Sequence, residues 1–200
     1  MLQHLRPAAV LLALFVGLLG IAYPVTVTVI AEAAMPGLAG GSLIKKSDIV
    51  IGSSLIGQEF KNERYFHGRP SATSAADPAD SSKTVDAPYN AASSSGSNLG
   101  PTSKKLVDRV TADVEAMKKE GSSLPVPADS VTASASGLDP HISPENAAGQ
   151  IARVAKARNV PADKVRDIVV SRTEGRTLGL FGEPRVNVLA LNLALDAVAP

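Results

Sequence analysis

Three histidines, His4, His67 and His141, are the side chains best suited to acid–base or metal chemistry, and each stands alone. None has a second ligand at a spacing that would close a metal site, so each reads first as a hydrogen-bonding structural residue. Asp139-Pro140-His141, flanked by Ser136 and Ser143, gathers the residue types of a hydrolase triad. Triad members normally come from distant parts of a chain, however, and no nucleophile elbow accompanies them. The sequence contains no G-x-x-x-x-G-K-[ST], no G-x-G-x-x-G and no H-E-x-x-H. It contains no cysteine either, which removes thiolate nucleophiles, thiolate metal sites and disulfides together.

Charge excludes a further class. The formal net charge is +1 and no basic run exceeds two residues. Phosphate neutralisation needs clustered cations, so nucleic acid is not an expected partner. With 4% aromatic residues, no tryptophan, 16 glycines and 14 prolines, the core must be built from small aliphatic side chains.

The elements that must position these residues begin with an uncharged run from Ala8 to Ala31. As a helix at ~1.5 Å per residue its 24 residues span ~36 Å, more than the ~30 Å hydrocarbon core. The run is longer than a signal-peptide core, which favours a retained anchor. Gly17 and Gly20 offer a surface that a second helix can approach closely. Pro24 interrupts the run beside Tyr23, and Thr26 and Thr28 are placed to bond carbonyls that the proline frees. Arg6 precedes the span, which predicts a cytoplasmic N-terminus and a domain on the outer side; Lys45 and Lys46 oppose that orientation.

Residues 32–46 read as a juxtamembrane linker and 47–200 as one α+β domain. Asp48 to Ile51 predicts a strand ending at Gly52, and a second strand-like patch surrounds Tyr65 and Phe66 up to Pro70. Residues 71–103, with nine serines, have the composition of a disordered linker. Three helices are expected. The first runs from about Ser103 to Glu120, with Leu106, Val107, Val110, Val114 and Met117 on one face. The second starts at Ser143-Pro144 and turns Ala147, Ile151, Val154 and Ala155 inward. The third, near Pro161 to Val170, faces Val165, Ile168 and Val169 inward. Ser130 to Ala133 is a candidate strand, and Arg185 to Asp196 a strand running into a helix.

Seven ordered blocks follow the span that ends in Tyr23-Pro24. They include Gly52-Ser-Ser-Leu-Ile-Gly-Gln58, Tyr65-Phe-His-Gly-Arg-Pro-Ser71, Ser95-Gly-Ser-Asn-Leu-Gly-Pro-Thr102 and Val126-Pro127 through Ser134. Ser136 to Ser143, Gln150 with Arg153-Val154-Ala155, and Gly182 to Asn192 complete the set. In these blocks the chain resembles the C subunit of Kdp-type potassium-transporting P-type ATPases of bacteria.

The resemblance implies a non-catalytic, single-pass subunit of the bacterial inner membrane. Its implied partners are a channel-like potassium-binding subunit, a catalytic P-type ATPase subunit and a small hydrophobic subunit. No tightly bound cofactor is implied, and ATP is reached through the catalytic subunit. The absence of D-K-T-G from this chain agrees with that division. Gln150 matches a residue that the family picture places on nucleotide, in a role of raising the catalytic subunit's ATP affinity. Tyr65, Phe66, His67, Arg69, Ser97, Asn98 and His141 are candidate partner contacts; Gly17, Gly20, Tyr23 and Pro24 are candidates for packing in the membrane. The resemblance also makes the Gly52–Gly57 and Ser95–Thr102 stretches ordered turns or contact surface. Two mechanisms then compete. A domain outside the cytoplasm cannot reach ATP and would act as a structural cap at the potassium entrance; a nucleotide-binding chaperone needs the opposite side.

Overall fold

In the computed structural model, which describes residues 2–119 and 125–198, the N-terminal apolar run is one continuous helical element, Leu5–Ala34. It comprises α1 (Leu5–Phe15), a π-helical stretch (Val16–Ala22) and α2 (Tyr23–Ala34), and no residue along it is buried within the chain. The wider winding coincides with the proline. Pro24 has no N–H to give to the turn before it, and at Tyr23 the backbone N–H reaches five residues back to Leu18 O. Thr26 Oγ1 donates to Ala22 O at 2.8 Å, so one of the two threonines does engage a carbonyl of this turn. Gly17 and Gly20 lie inside the π-helical stretch, leaving a strip without side chains. Within the stretch read as linker, Pro36–Ala39 makes a single helical turn (α3). Leu43–Lys46 (β1) then pairs antiparallel with Ile49–Ser53 (β2).

The chain divides into two compact units, Met1–Ser53 and Ser54–Pro200. In the second, the core is gathered by three helices and a small sheet. They are α6 (Pro144–Arg158), α7 (Ala162–Ser171), α8 (Val188–Val198) and the antiparallel strands β5 (His141–Ile142), β7 (Arg185–Asn187) and β6 (Thr173–Glu174), in that order across the sheet. Ala147, Ile151 and Val154 of α6, Val165 and Val169 of α7, and Leu191 and Leu195 of α8 close on Val186 and Phe66. The start of α6 follows its sequence signal: Ser143 is extended, Pro144 opens the helix, and Ser143 Oγ accepts the Asn146 N–H at 3.0 Å. Asn159, left-handed at φ 54°, stops it.

Three expectations are corrected. The Tyr65–Phe66 patch is not a strand; residues 65–67 are irregular, because their backbone groups bond side chains on two helices instead of a neighbouring strand. Ala128–Val131 is a one-turn helix, α5, where a strand was expected at 130–133; Thr132 Oγ1 closes the turn onto Ala128 O at 2.7 Å. Residues 71–103 are not linker. Ser74–Ala76 (β3) and Thr84–Asp86 (β4) pair there, and hydroxyls tie the rest together. Ser71 Oγ donates to Gly137 O (2.7 Å) and accepts from Tyr89 N (3.0 Å). Thr73 Oγ1 donates to Ala87 O (2.6 Å), and Ser95 N donates to Ser136 O (3.0 Å). Small polar side chains serve here as internal cross-ties, satisfying backbone groups that a ladder would otherwise hold.

The first predicted helix is α4 (Lys104–Lys119). Leu106, Val110, Val114 and Met117 form its half-buried side, whereas Val107 is exposed. Its expected end at Glu120 lies outside the described residues.

Candidate functional site

The polar side chains of α6 project from one face at i, i+4 and i+7 as Asn146, Gln150 and Arg153. Gln150 is saturated. Its Oε1 accepts the His67 N–H (2.8 Å) and an Arg153 N–H (2.7 Å); its Nε2 donates to His67 O (3.1 Å) and Asn146 Oδ1 (2.8 Å). Two donors and two acceptor sites are all a carboxamide has. Asn146 in turn donates to Asp129 Oδ2 (3.0 Å), which also accepts from Ser143 N (2.7 Å). A polar chain therefore runs from α5 along α6 to the backbone of His67. Arg153 Nη1 adds bonds to Glu63 O (2.6 Å) and Tyr65 O (3.1 Å).

A second carboxamide repeats the pattern one residue earlier. Asn192, buried in α8, accepts from Phe66 N (2.8 Å) and donates to Phe66 O (3.0 Å). Phe66 and His67 are thus each held by both backbone groups, one by α8 and the other by α6. That geometry drives the fully buried Phe66 ring into the core. Beside it, the buried Arg158 guanidinium donates to Arg64 O (2.7 Å) and Asp196 Oδ1 (2.8 Å) and lies 5.0 Å from the centre of the Tyr65 ring. Tyr65 Oη donates to Asp196 Oδ2 at 3.2 Å.

Arg69 and His141 meet at Asp139. Arg69 Nη1 donates to Asp139 Oδ2 (2.9 Å), and His141 N donates to Oδ1 (3.0 Å) with the imidazole Nδ1 3.5 Å away. Burial pushes the Asp139 carboxyl up, but the hydrogen bonds from His141 and Arg69 outweigh it and hold the group below its ordinary range. Tyr89 is wedged against this pair with its Oη donating to Arg69 O (2.8 Å). Desolvation first, and the Asp139 charge second, push its phenol up to about 12. The packing is tight: a Cβ on Gly57 would lie 2.5 Å from the Tyr89 ring and 2.7 Å from Asp139 O. Gly137 is left-handed (φ 67°) with Ser95 O and Thr73 where a side chain would go. The triad-like grouping is not assembled. Ser143 Oγ donates to Asp129 (2.9 Å) and caps α6, and the Asp139 carboxylate is shared with Arg69.

Of the residues singled out from sequence, Tyr65, Phe66, His67 and Gln150 therefore converge, and Arg69 and His141 form a neighbouring cluster. Ser97 and Asn98 lie apart: among the described residues neither side chain joins the network, and Asn98 is exposed and left-handed (φ 50°). Gly17, Gly20, Tyr23 and Pro24 all lie in the apolar helix. Asp129, Asn146, Asn192 and Asp196 were not picked out. The signal existed for Asn192, a polar residue within the otherwise apolar Val-Leu-Ala-Leu-Asn-Leu-Ala-Leu run, since a polar group on a core face needs a dedicated partner. Two open grooves border the network. One, of about 550 Å³, runs past His67, Gln150 and Arg153; the other, of about 730 Å³, runs past Arg69, Asp139, His141 and Glu145.

These features define an α+β protein with, among the described residues, one helix long and apolar enough to cross a membrane, in which polar side chains hold a loop in place. Residues 5–197 match the family model described as "K+-transporting ATPase, c chain", so the chain belongs to that family. A protein of Bradyrhizobium diazoefficiens named "Potassium-transporting ATPase KdpC subunit" is 62% identical over 199 residues, covering 100% of this chain and 99% of that protein. Proteins of the same name from Methylorubrum extorquens (61% over 199 residues; 100% and 99%) and Rhodopseudomonas palustris (63% over 197 residues; 98% of each) are equally similar.

Proposed function

We propose that this chain is an accessory subunit of an ATP-driven potassium pump of the inner membrane, anchored by one span with its N-terminus cytoplasmic. Its folded domain lies outside the cytoplasm and caps the potassium entrance of a channel-like subunit. In that position it stabilises the assembly with the catalytic P-type subunit and the small hydrophobic subunit. The observation that carries the reading is the closed state of the Gln150 carboxamide, whose four hydrogen-bonding positions are filled by His67, Asn146 and Arg153. A nucleotide contact at Gln150 would have to break the bonds that hold the His67 backbone on α6. The sequence also lacks a glycine-rich phosphate loop to receive the rest of the nucleotide. Higher ATP affinity of the catalytic subunit then follows from assembly, without contact between this chain and ATP.

The side of the membrane tests the reading. The chain has no cysteine, so a single Ser94→Cys on the exposed serine gives one labelling site. In intact cells with a permeable outer envelope, a membrane-impermeant thiol reagent is expected to label it. Protection that ends only on lysis would place the domain in the cytosol and overturn the cap.

A further inference from the structure

Between β6 and β7 the chain projects as a short hairpin whose tip is apolar. Leu178 is 89% exposed, Leu180 68% and Phe181 62%, and residues 177–182 carry no charge. The tip is nevertheless ordered by its own backbone. Thr177 N donates to Phe181 O (2.9 Å), and Thr177 O accepts from Leu180 N (3.2 Å) and Phe181 N (3.0 Å). Leu178 and Gly179 are both left-handed (φ 56° and 72°), the arrangement of a type I′ turn. Asn or Asp followed by Gly is the usual choice for such a turn, because a leucine there is strained against its own carbonyl. This leucine is strained and buries almost nothing, so the isolated domain gains no stability from it.

The charges around the neck decide what would cover such a tip. Arg176 pairs with Glu183 (2.6 Å) and Arg185 with Glu174 (3.0 Å), so the neck is electrically balanced. A loop that enters a lipid surface relies on unpaired cations for the headgroups and often on interfacial tryptophan or tyrosine; the hairpin has neither. A rigid aliphatic–aromatic tip inside a ring of matched charges instead fits an uncharged cleft on a protein, where anchors gain most by being preorganised. We infer that the Thr173–Arg185 hairpin is a docking knob that seats Leu178, Leu180 and Phe181 in an apolar cleft of another polypeptide of the pump. The inference rests on the accessory role proposed above.

The test uses the full-length chain co-expressed with the other pump subunits. Leu178→Asn and the double change Leu180→Ser with Phe181→Ser are compared with the wild type for association after detergent extraction and dilution. Both are expected to weaken association about tenfold or more. Leu178→Asn should leave the thermal midpoint of the purified chain equal or higher, because Asn tolerates the turn and no packing is lost. Association unchanged in both variants, beside a wild type that binds, would overturn the knob alone. A wild type that does not associate at all would overturn the accessory role and the knob with it. In the complex reconstituted in nanodiscs, Phe181→Cys carrying a photoactivatable thiol probe should form adducts with another pump subunit. Adducts confined to lipid, or to a second copy of this chain, would overturn the assignment.

Discussion

At the residue scale, Gln150 ties a loop to α6 with all four of its hydrogen-bonding positions. Replacing it with leucine strips partners from both backbone groups of His67 and from Asn146 Oδ1. Each buried group left unmatched costs about 1–3 kcal/mol, so Gln150→Leu is expected to lose about 3 kcal/mol in urea unfolding of the solubilised chain. Gln150→Glu should also destabilise, because it turns an oxygen toward His67 O and Asn146 Oδ1, both acceptors. A residue serving only a nucleotide would leave both midpoints unchanged. Tyr89 supplies a pH signature. Its phenol is raised from 10 to about 12 in the folded chain, so the folded state keeps a proton that the unfolded state gives up. The associated stability is complete below pH 10 and is lost as pH rises toward 12. Tyr89→Phe should lower stability at neutral pH, through loss of the bond to Arg69 O, while flattening the alkaline fall.

Among the elements, α6, α7 and α8 were legible because each writes an apolar face at helical spacing, and α6 adds a serine cap and an N-terminal proline. The path of residues 62–70 was not legible. Tyr65 and Phe66 favour a strand locally, but backbone groups of Tyr65, Phe66 and His67 pair with Arg153, Asn192 and Gln150, more than 80 positions away. Composition misled across residues 71–103 for a related reason: serine and threonine hydroxyls that would solvate a linker bond Gly137, Ala87 and Ala72 carbonyls instead. The Arg158–Asp196 pair joins α6 to α8 with the arginine side chain fully buried. Asp196→Ala is expected to cost about 3 kcal/mol by taking a carboxylate partner from that buried charge, and Arg158→Met less, although both remove the same ion pair. Thermal unfolding of the two variants side by side reads the difference. Equal losses would show that the arginine's hydrogen bond to Arg64 O and its stacking on Tyr65 matter more than its charge.

Taken whole, the molecule joins an unburied apolar helix to a domain whose core is complete without it. The helix was readable from hydropathy; its π-helical turn was not, since a run that is apolar on every side carries no period to tell one winding from the other. Deleting residues 1–31 is expected to leave a soluble domain with an unchanged unfolding midpoint that no longer co-purifies with the pump. Full retention of binding would make the span a tether only. The strip at Gly17 and Gly20, within the wider turn, is where another helix could approach most closely.

Pairing backbone with carboxamides has a consequence for the life of the chain before it folds and after. Tyr65-Phe66-His67 is an uncharged, β-prone stretch whose backbone groups, if unpaired, would be open to another chain. Once Asn192 and Gln150 have taken the N–H and C=O of Phe66 and His67, no register remains for an incoming strand. The remaining edges in the domain's three-stranded sheet, β5 and β6, are two residues each, too short to template a neighbour. The fold thereby hides this stretch of backbone behind two amide side chains.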